Sequence, residues 1–362
     1  MKRINTIFLL LLAISPSLAQ TLVGVVLDSA SLEPVPFAHV RLGHSVTVTN
    51  PEGEYVINQE TRADSILEIS FIGYRTWRKN INISKTHRAL LVSSVTNLES
   101  VTVLTGDILM DRVFRSTITN YDQERKQMTS YYKEKLSRRD SMYYLAEGIM
   151  NIYRPGWLSS EEVQIEPLRT RKRVDISYNQ EDVIPINGHA YDMIVPSIWR
   201  EGSFLDVKNR KHYEFTYEGR MSYRDRAVYM VSFSPANNKG YISGKLYIED
   251  ETFAIVRMEY EPDPGSSKFW KWAKWVEEYE PMYGLYYLTL VSFEGSFLDY
   301  NKTYDYSALL VNNDISSPEG VPVLDSVIGK KDIFFDQASF DFTDSFWKGF
   351  NYIKLTAEEQ GM

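Results

Sequence analysis

Apolar and polar positions alternate along most of this chain, in short segments at first and longer ones later. Leu22 to Leu27 opens with a near-continuous apolar run, and Ala38, Val40 and Leu42 then alternate with His39 and Arg41. Period two puts one set on a core face and the other outside. A turn over Thr49 to Gly53 precedes Tyr55-Val56-Ile57, with Gly53 suited to a positive φ. Leu67, Ile69 and Phe71 share the face of the next strand, Gly73-Tyr74 breaks it, and Thr76 to Ile83 follows. Closely spaced strands with turns between them predict a β-sandwich, here of seven strands, whose burial rests on Val25, Val40, Leu67, Ile69 and Phe71.

Beyond residue 106 the period changes. Ile108, Met110 or Asp111, Phe114, Ile118 and Tyr121 recur at helical spacing, which predicts a helix over 107–125 with Asp107 as N-cap. Period two then returns and predicts strands over 127–136, 142–153, 211–217, 228–233, 241–248, 253–260, 269–279 and 285–293. Residues 155–206 read as irregular, with a short helix near Met193 to Trp199. A long meander with one helix predicts a curved antiparallel sheet, a half-barrel wrapped on that helix. Aromatic stripes such as Tyr213, Phe215 and Tyr217, or Tyr229, Val231 and Phe233, would face an apolar groove over the helix.

The ordered set Gly24, Val26, Asp28, Pro34, Pro36, Ala38, Val40, then Thr49, Asn50, Gly53, Tyr55, then Ile69, Phe71, Gly73, Tyr74 resembles the carboxypeptidase regulatory-like family. That resemblance implies a transthyretin-like sandwich that hydrolyses nothing itself. Leu98, Val101 and Val103 resemble the connector that leads from such sandwiches into outer-membrane receptors, yet too few residues remain for a large receptor barrel. Gly244, Leu246, Ile248, Asp250, Ala254, Ile255 and Glu259 resemble a hairpin of lipoprotein-carrier-like (LolA-like) half-barrels. The tail around Ser345 to Thr356 resembles the ends of exported proteins that pair these two domains. The organisation expected is a signal peptide over 1–19, a sandwich over 20–92, a connector over 93–105 and a half-barrel-like domain over 106–362.

Composition sharpens this. Lys2 and Arg3, the apolar Ile7 to Ile14 and Ser17-Leu18-Ala19 form a signal-peptide pattern cleaved after Ala19, too short to span a bilayer. No other stretch is apolar enough to cross, so the mature chain is expected to have no transmembrane helix and to be exported to the periplasm or outer membrane of a Gram-negative envelope. There is no cysteine, which excludes a lipoprotein anchor, disulfides and thiolate metal sites. A net charge of −8 argues against nucleic acid. The basic run Arg169, Arg171, Lys172, Arg173 reads as a solvated strand or loop edge.

No catalytic residue, cofactor or metal site is expected. His39, His44, His87, His189 and His212 have no partners at ligand spacing and read as surface histidines, with His39 outward on its strand. No Gly-x-Ser-x-Gly, dinucleotide or phosphate-loop motif occurs. The candidate ligand-binding residues are Trp270, Trp272 and Trp275 in Phe269 to Trp275, with Trp270 and Trp272 on one strand face and Trp275 on the other. They would form an aromatic platform for glycan or lipid, or a buried strand at a sheet edge. The functions in play are a non-catalytic envelope binding or structural module whose partner is an envelope protein, a lipid or a glycan; a lipid or lipoprotein carrier; and a glycan hydrolase whose carboxylates carry no motif.

Overall fold

The computed structural model describes residues 20–43, 45–59, 66–81, 86–94, 104–138, 141–156, 159, 161–174, 190–194, 206, 208–263, 269–299, 301–318, 320, 324, 327–340, 345–348 and 353–361. The signal-peptide pattern, most of the connector, His44 and His189 lie outside the described residues.

The chain is mainly β, as its periodicity predicts. Seven strands make the sandwich: β1 (Gln20–Asp28), β2 (His39–Leu42), β3 (Ser45–Val48), β4 (Glu54–Gln59), β5 (Ile66–Ser70), β6 (Trp77–Asn80) and β7 (His87–Leu91). One sheet has the order β4-β1-β7, with β1 and β7 parallel, and the other β3-β2-β5-β6. Leu22, Val26, Val40, Leu67 and Ile69 are fully buried between them. Val25, expected in the core, is instead half-buried, because the β1 alternation turns Leu22, Gly24 and Val26 inward. Gly53 and Gly73 sit at φ 72° and 80°.

Among the described residues, ten antiparallel strands form the large sheet, curved and open: β8 (Lys126–Arg138), β9 (Ser141–Arg154), β10 (Gln164–Val174), β11 (Tyr213–Tyr223), β12 (Arg226–Pro235), β13 (Ile242–Glu249), β14 (Ile255–Pro262), β15 (Trp270–Met282), β16 (Leu285–Asp299) and β17 (Lys302–Ser316). Their order is β10-β9-β8-β17-β16-β15-β14-β13-β12-β11. The meander from β11 to β17 thus closes onto β8, which runs back through β9 to the β10 edge. The sequence reading placed neither β10 nor β17.

Helix α1 (Gly106–Asn120) packs on the inner face. Its N-cap is Thr105, whose hydroxyl accepts from the Ile108 amide, not Asp107. The buried stripe is Gly106, Leu109, Met110, Val113 and Asn120, while Ile108 and Ile118 are 41% and 60% exposed. Two stripes of helical spacing compete here. Gly106 selects one of them, since a Cβ there would lie 2.1 Å from the Phe215 carbonyl oxygen of β11. Helix α2 (Ala190–Ile194), Ile328, Phe334 of α3 (Phe334–Gln337) and Ala338 join the same buried cluster. Among the described residues, the inner face is therefore covered by the chain itself, and the expected open groove over α1 is filled.

The outer face carries the sandwich and the tail. Val48 of the sandwich packs with Tyr131, Ile149, Leu290, Leu309 and Val311 of the sheet and with Trp347 and Ile353 of the tail. Arg171 and Lys172 are buried, which corrects the solvated reading of that basic run. Arg171 donates to Glu147 at 2.7 Å and lies 4.4 Å from the Trp347 ring, and Lys172 donates to the Phe335 carbonyl at 2.8 Å.

Candidate functional site

A cavity of about 240 Å³ opens where the sandwich, the tail and the outer face of the large sheet meet. Its floor lies within a patch of three cross-strand rows, of which Ser296, Lys274 and Val276 do not line the cavity. Trp272 faces Ser296, which faces Asp305, which faces Ser137; Lys274 faces Glu294, then Ser307, then Lys135; Val276 faces Ser292, then Leu309, then Lys133. Phe37 and Pro51 of the sandwich form one wall, and Ile353 and Glu359 of the tail another.

The tail wall is fixed by charge and capping. Glu359 accepts from the Lys133 ammonium at 2.9 and 3.0 Å. It also accepts from the Thr356 amide, while its own amide donates to the Thr356 hydroxyl, a reciprocal cap on α4 (Ala357–Gly361). Burial would raise the Glu359 carboxyl, but Lys133 outweighs it and the group is held below its ordinary value. Lys354 ties the tail to Glu54 of the sandwich at 2.7 Å, and Asn50 donates to the Lys354 carbonyl at 3.2 Å.

The three predicted tryptophans separate. A β-bulge between Trp270 and Trp272 adds one residue to β15. That residue flips the alternation. Trp270 therefore joins Trp275 on the inner face, and Trp272 points outward into the cleft. Trp270 packs at 4.9 Å on Phe293 and 5.6 Å on Phe297, its ring accommodated by Gly295. Trp275 stacks on Tyr260 at 6.1 Å and meets Phe293 at 4.7 Å. Those two are packing residues, whereas Trp272 is 51% exposed. The expectation that Trp270 and Trp272 share a face is overturned by the bulge.

Two further cleft residues, Glu294 and Asp305, are exposed and make no ion pair or hydrogen bond among the described residues. The sequence reading missed them, and also Phe37 and Lys135. Asp305 lies on the unplaced β17, although Tyr304, Tyr306, Ala308 and Leu310 carry the period-two signal that would have found it.

Beside the cleft, His39 is buried rather than on the surface. Its alternation does point it out of the sandwich core, but that outside is the large sheet. Its ring nitrogens meet Glu278 and, at 2.8 Å, Glu280. Glu280 also pairs with Arg224 and, at 2.9 Å, with Arg41, and Glu278 pairs with Arg257. Burial alone would raise the Glu280 carboxyl; Arg224 and then His39 reverse this and hold it well below the usual carboxylate range. Burial pushes His39 down, against the pull of Glu280. Gly73 adds a backbone tie, its amide donating to the Ser222 carbonyl at 3.2 Å.

Among the described residues no helix is long and apolar enough to cross a membrane. The family model of the CarboxypepD_reg-like domain matches residues 22–103, meeting the resemblance read from Gly24 to Tyr74. No curated protein matches the chain. Three solved structures are similar to it. One is a domain described as that of an outer membrane lipoprotein-sorting protein from Vibrio parahaemolyticus, 9% identical, with 60% of this chain and 95% of that one covered and a TM-score of 0.31. A DUF1329 family protein from Desulfovibrio piger is 11% identical over 60% of this chain and 95% of that one, with a TM-score of 0.29. The Pseudomonas aeruginosa MucA/MucB complex contributes a chain 7% identical, covering 57% of this chain and 93% of its own, with a TM-score of 0.19.

Proposed function

We propose that this chain is a non-catalytic binding protein of the bacterial envelope, which takes its ligand in the cleft between the sandwich, the tail and the outer face of the large sheet. One observation carries the reading: of the three clustered tryptophans, two are packed and Trp272 alone is half exposed, at the mouth of a composite cavity. Large apolar side chains left in water beside a cavity mark interaction sites. The two carboxylates of the floor sit side by side on one sheet face. Export is supported by the pattern of residues 1–19.

The test is photo-crosslinking in native envelopes from a reactive residue placed at Ser307, in the middle of the floor. An adduct that Trp272→Ala suppresses is the expected result. Adducts obtained equally from wild type and Trp272→Ala, or only from a probe on the inner face, would refute the cleft.

A further inference from the structure

We infer that the cleft takes an uncharged sugar ring stacked on Trp272. This rests on the binding reading above and names the ligand class of the same site. The argument starts from the geometry of the floor. Trp272 and Asp305 lie two strands apart, about 10 Å, with Glu294 one strand and two residues from each, about 8 Å. An indole edge and two acceptors thus bound a space the size of one ring with its hydroxyls. The half-exposed indole offers a flat apolar face to the C–H groups of a sugar ring.

The polar lining then favours a ligand that both donates and accepts hydrogen bonds. Glu294 and Asp305 accept, while Lys135, Ser137 and Ser307 donate, all within the same small cavity. A hydroxyl both donates and accepts, so a polyol satisfies such a mixed set. A cationic side chain would also be drawn to the carboxylates and to the indole, but it has no acceptor to offer Ser137 and Ser307, which a hydroxyl-bearing ring matches. An anionic ligand meets the carboxylates of Glu294 and Asp305, neither of which is ion-paired among the described residues. An extended lipid chain would need a continuous apolar channel, whereas this floor is crossed by charged and hydroxyl groups.

The test uses the full mature chain with three probes: the N-acetylglucosamine trimer, maltotriose and pentalysine. Binding is followed by saturation-transfer NMR and tryptophan fluorescence. At least one neutral trisaccharide is expected to bind, with an affinity unchanged between about 50 and 500 mM salt, since no charge is screened. Trp272→Ala should weaken it about tenfold or more, Trp272→Phe should restore part of it, and Asp305→Asn should weaken it less. Tyr283→Ala, at an exposed hairpin tip outside the cleft, should have no effect. If pentalysine binds in a Trp272-dependent, salt-sensitive way and neither sugar does, the sugar assignment is overturned while the cleft reading stands. If nothing binds and the Ser307 probe captures nothing, both fall. If a bound sugar is cleaved, the sugar class stands and the non-catalytic reading falls.

Discussion

At the residue scale, the abundance of tyrosine has a structural reason. The chain has 25, and many carry a hydroxyl to a buried carboxylate. Glu277 accepts from Tyr260 at 2.8 Å and Tyr279 at 2.7 Å, Asp122 from Tyr287 at 2.6 Å, and Glu134 from Tyr132 and Tyr306 at 2.8 Å each. A buried acid without such donors would be severely destabilising. What the partners are decides the charge. Glu280, among guanidinium groups, is held ionised. Glu134 has hydroxyls for its side-chain partners, and burial lifts its carboxyl to about 7. Its proton is held more tightly in the folded than in the unfolded chain. Its contribution to stability is therefore complete below the ordinary value of 4.5 and is lost as pH rises through about 7. The difference is on the order of 3 kcal/mol across that window. Glu134→Gln keeps the shape and cannot ionise. Relative to wild type it should gain stability as pH rises, so urea midpoints at pH 5 and pH 8 should diverge between the two proteins. The same offset at both pH values would show that Glu134 does not titrate there.

At the element scale, period two was readable wherever strands alternate without interruption, and β8, β9 and β11 to β16 were all placed from it. What escaped was set by tertiary partners. β10 carries Arg169, Arg171, Lys172 and Arg173, charges that read as surface. Two of these are buried only because Glu147, Trp347 and Phe335 meet them from elsewhere in the chain. The bulge in β15 has no marker in Phe269 to Trp275, yet it decides which tryptophan reaches the cleft. The candidate site was thus legible as three residues and not as the one that is exposed. In α1 the sequence offers two apolar stripes, and only the approach of β11 to Gly106 chooses between them. This choice can be measured. Leu109→Ala, at a fully buried site, should cost about 2–5 kcal/mol. Ile118→Ala should stay within about 0.5 kcal/mol, as exposed substitutions do. A larger loss at Ile118 than at Leu109, read from denaturant unfolding, would return the helix to the stripe expected from sequence. In the sandwich, Ile69→Ala belongs with Leu109, since its side chain is also fully buried and should cost about 2–5 kcal/mol.

At the scale of the whole molecule, the sandwich and the large sheet meet through charge as much as through apolar packing. The cluster of His39, Arg41, Arg224, Arg257, Glu278 and Glu280 lies at this seam, with His39, Arg257 and both glutamates buried. Burying ions is costly, and their mutual attraction does little more than offset that cost. The cluster therefore adds little net stability but penalises any other arrangement, because a slip of the sandwich would strand unpaired charges. Removing one member should expose this. Glu280→Gln leaves Arg41, Arg224 and His39 without their shared carboxylate and should cost about 3–5 kcal/mol. By contrast, Arg78, paired with Glu68 inside the sandwich, reaches Asp225 across the exposed edge of the same seam. Arg78→Ala should cost under about 1 kcal/mol. The wall of the cleft formed by Phe37 and Pro51 belongs to the sandwich, so the position of the wall depends on this docking. In Glu280→Gln the wall should lose its register with the floor, and capture by the Ser307 probe should drop although no cleft residue has changed. Hydrogen exchange gives an independent reading: amides of β2 and β15 should lose protection together, while those of β8 and β9 keep theirs. If Glu280→Gln leaves both the exchange pattern and the capture intact, the apolar contacts of Val48 with Trp347 and Ile353 hold the seam alone, and the charge cluster is dispensable to it.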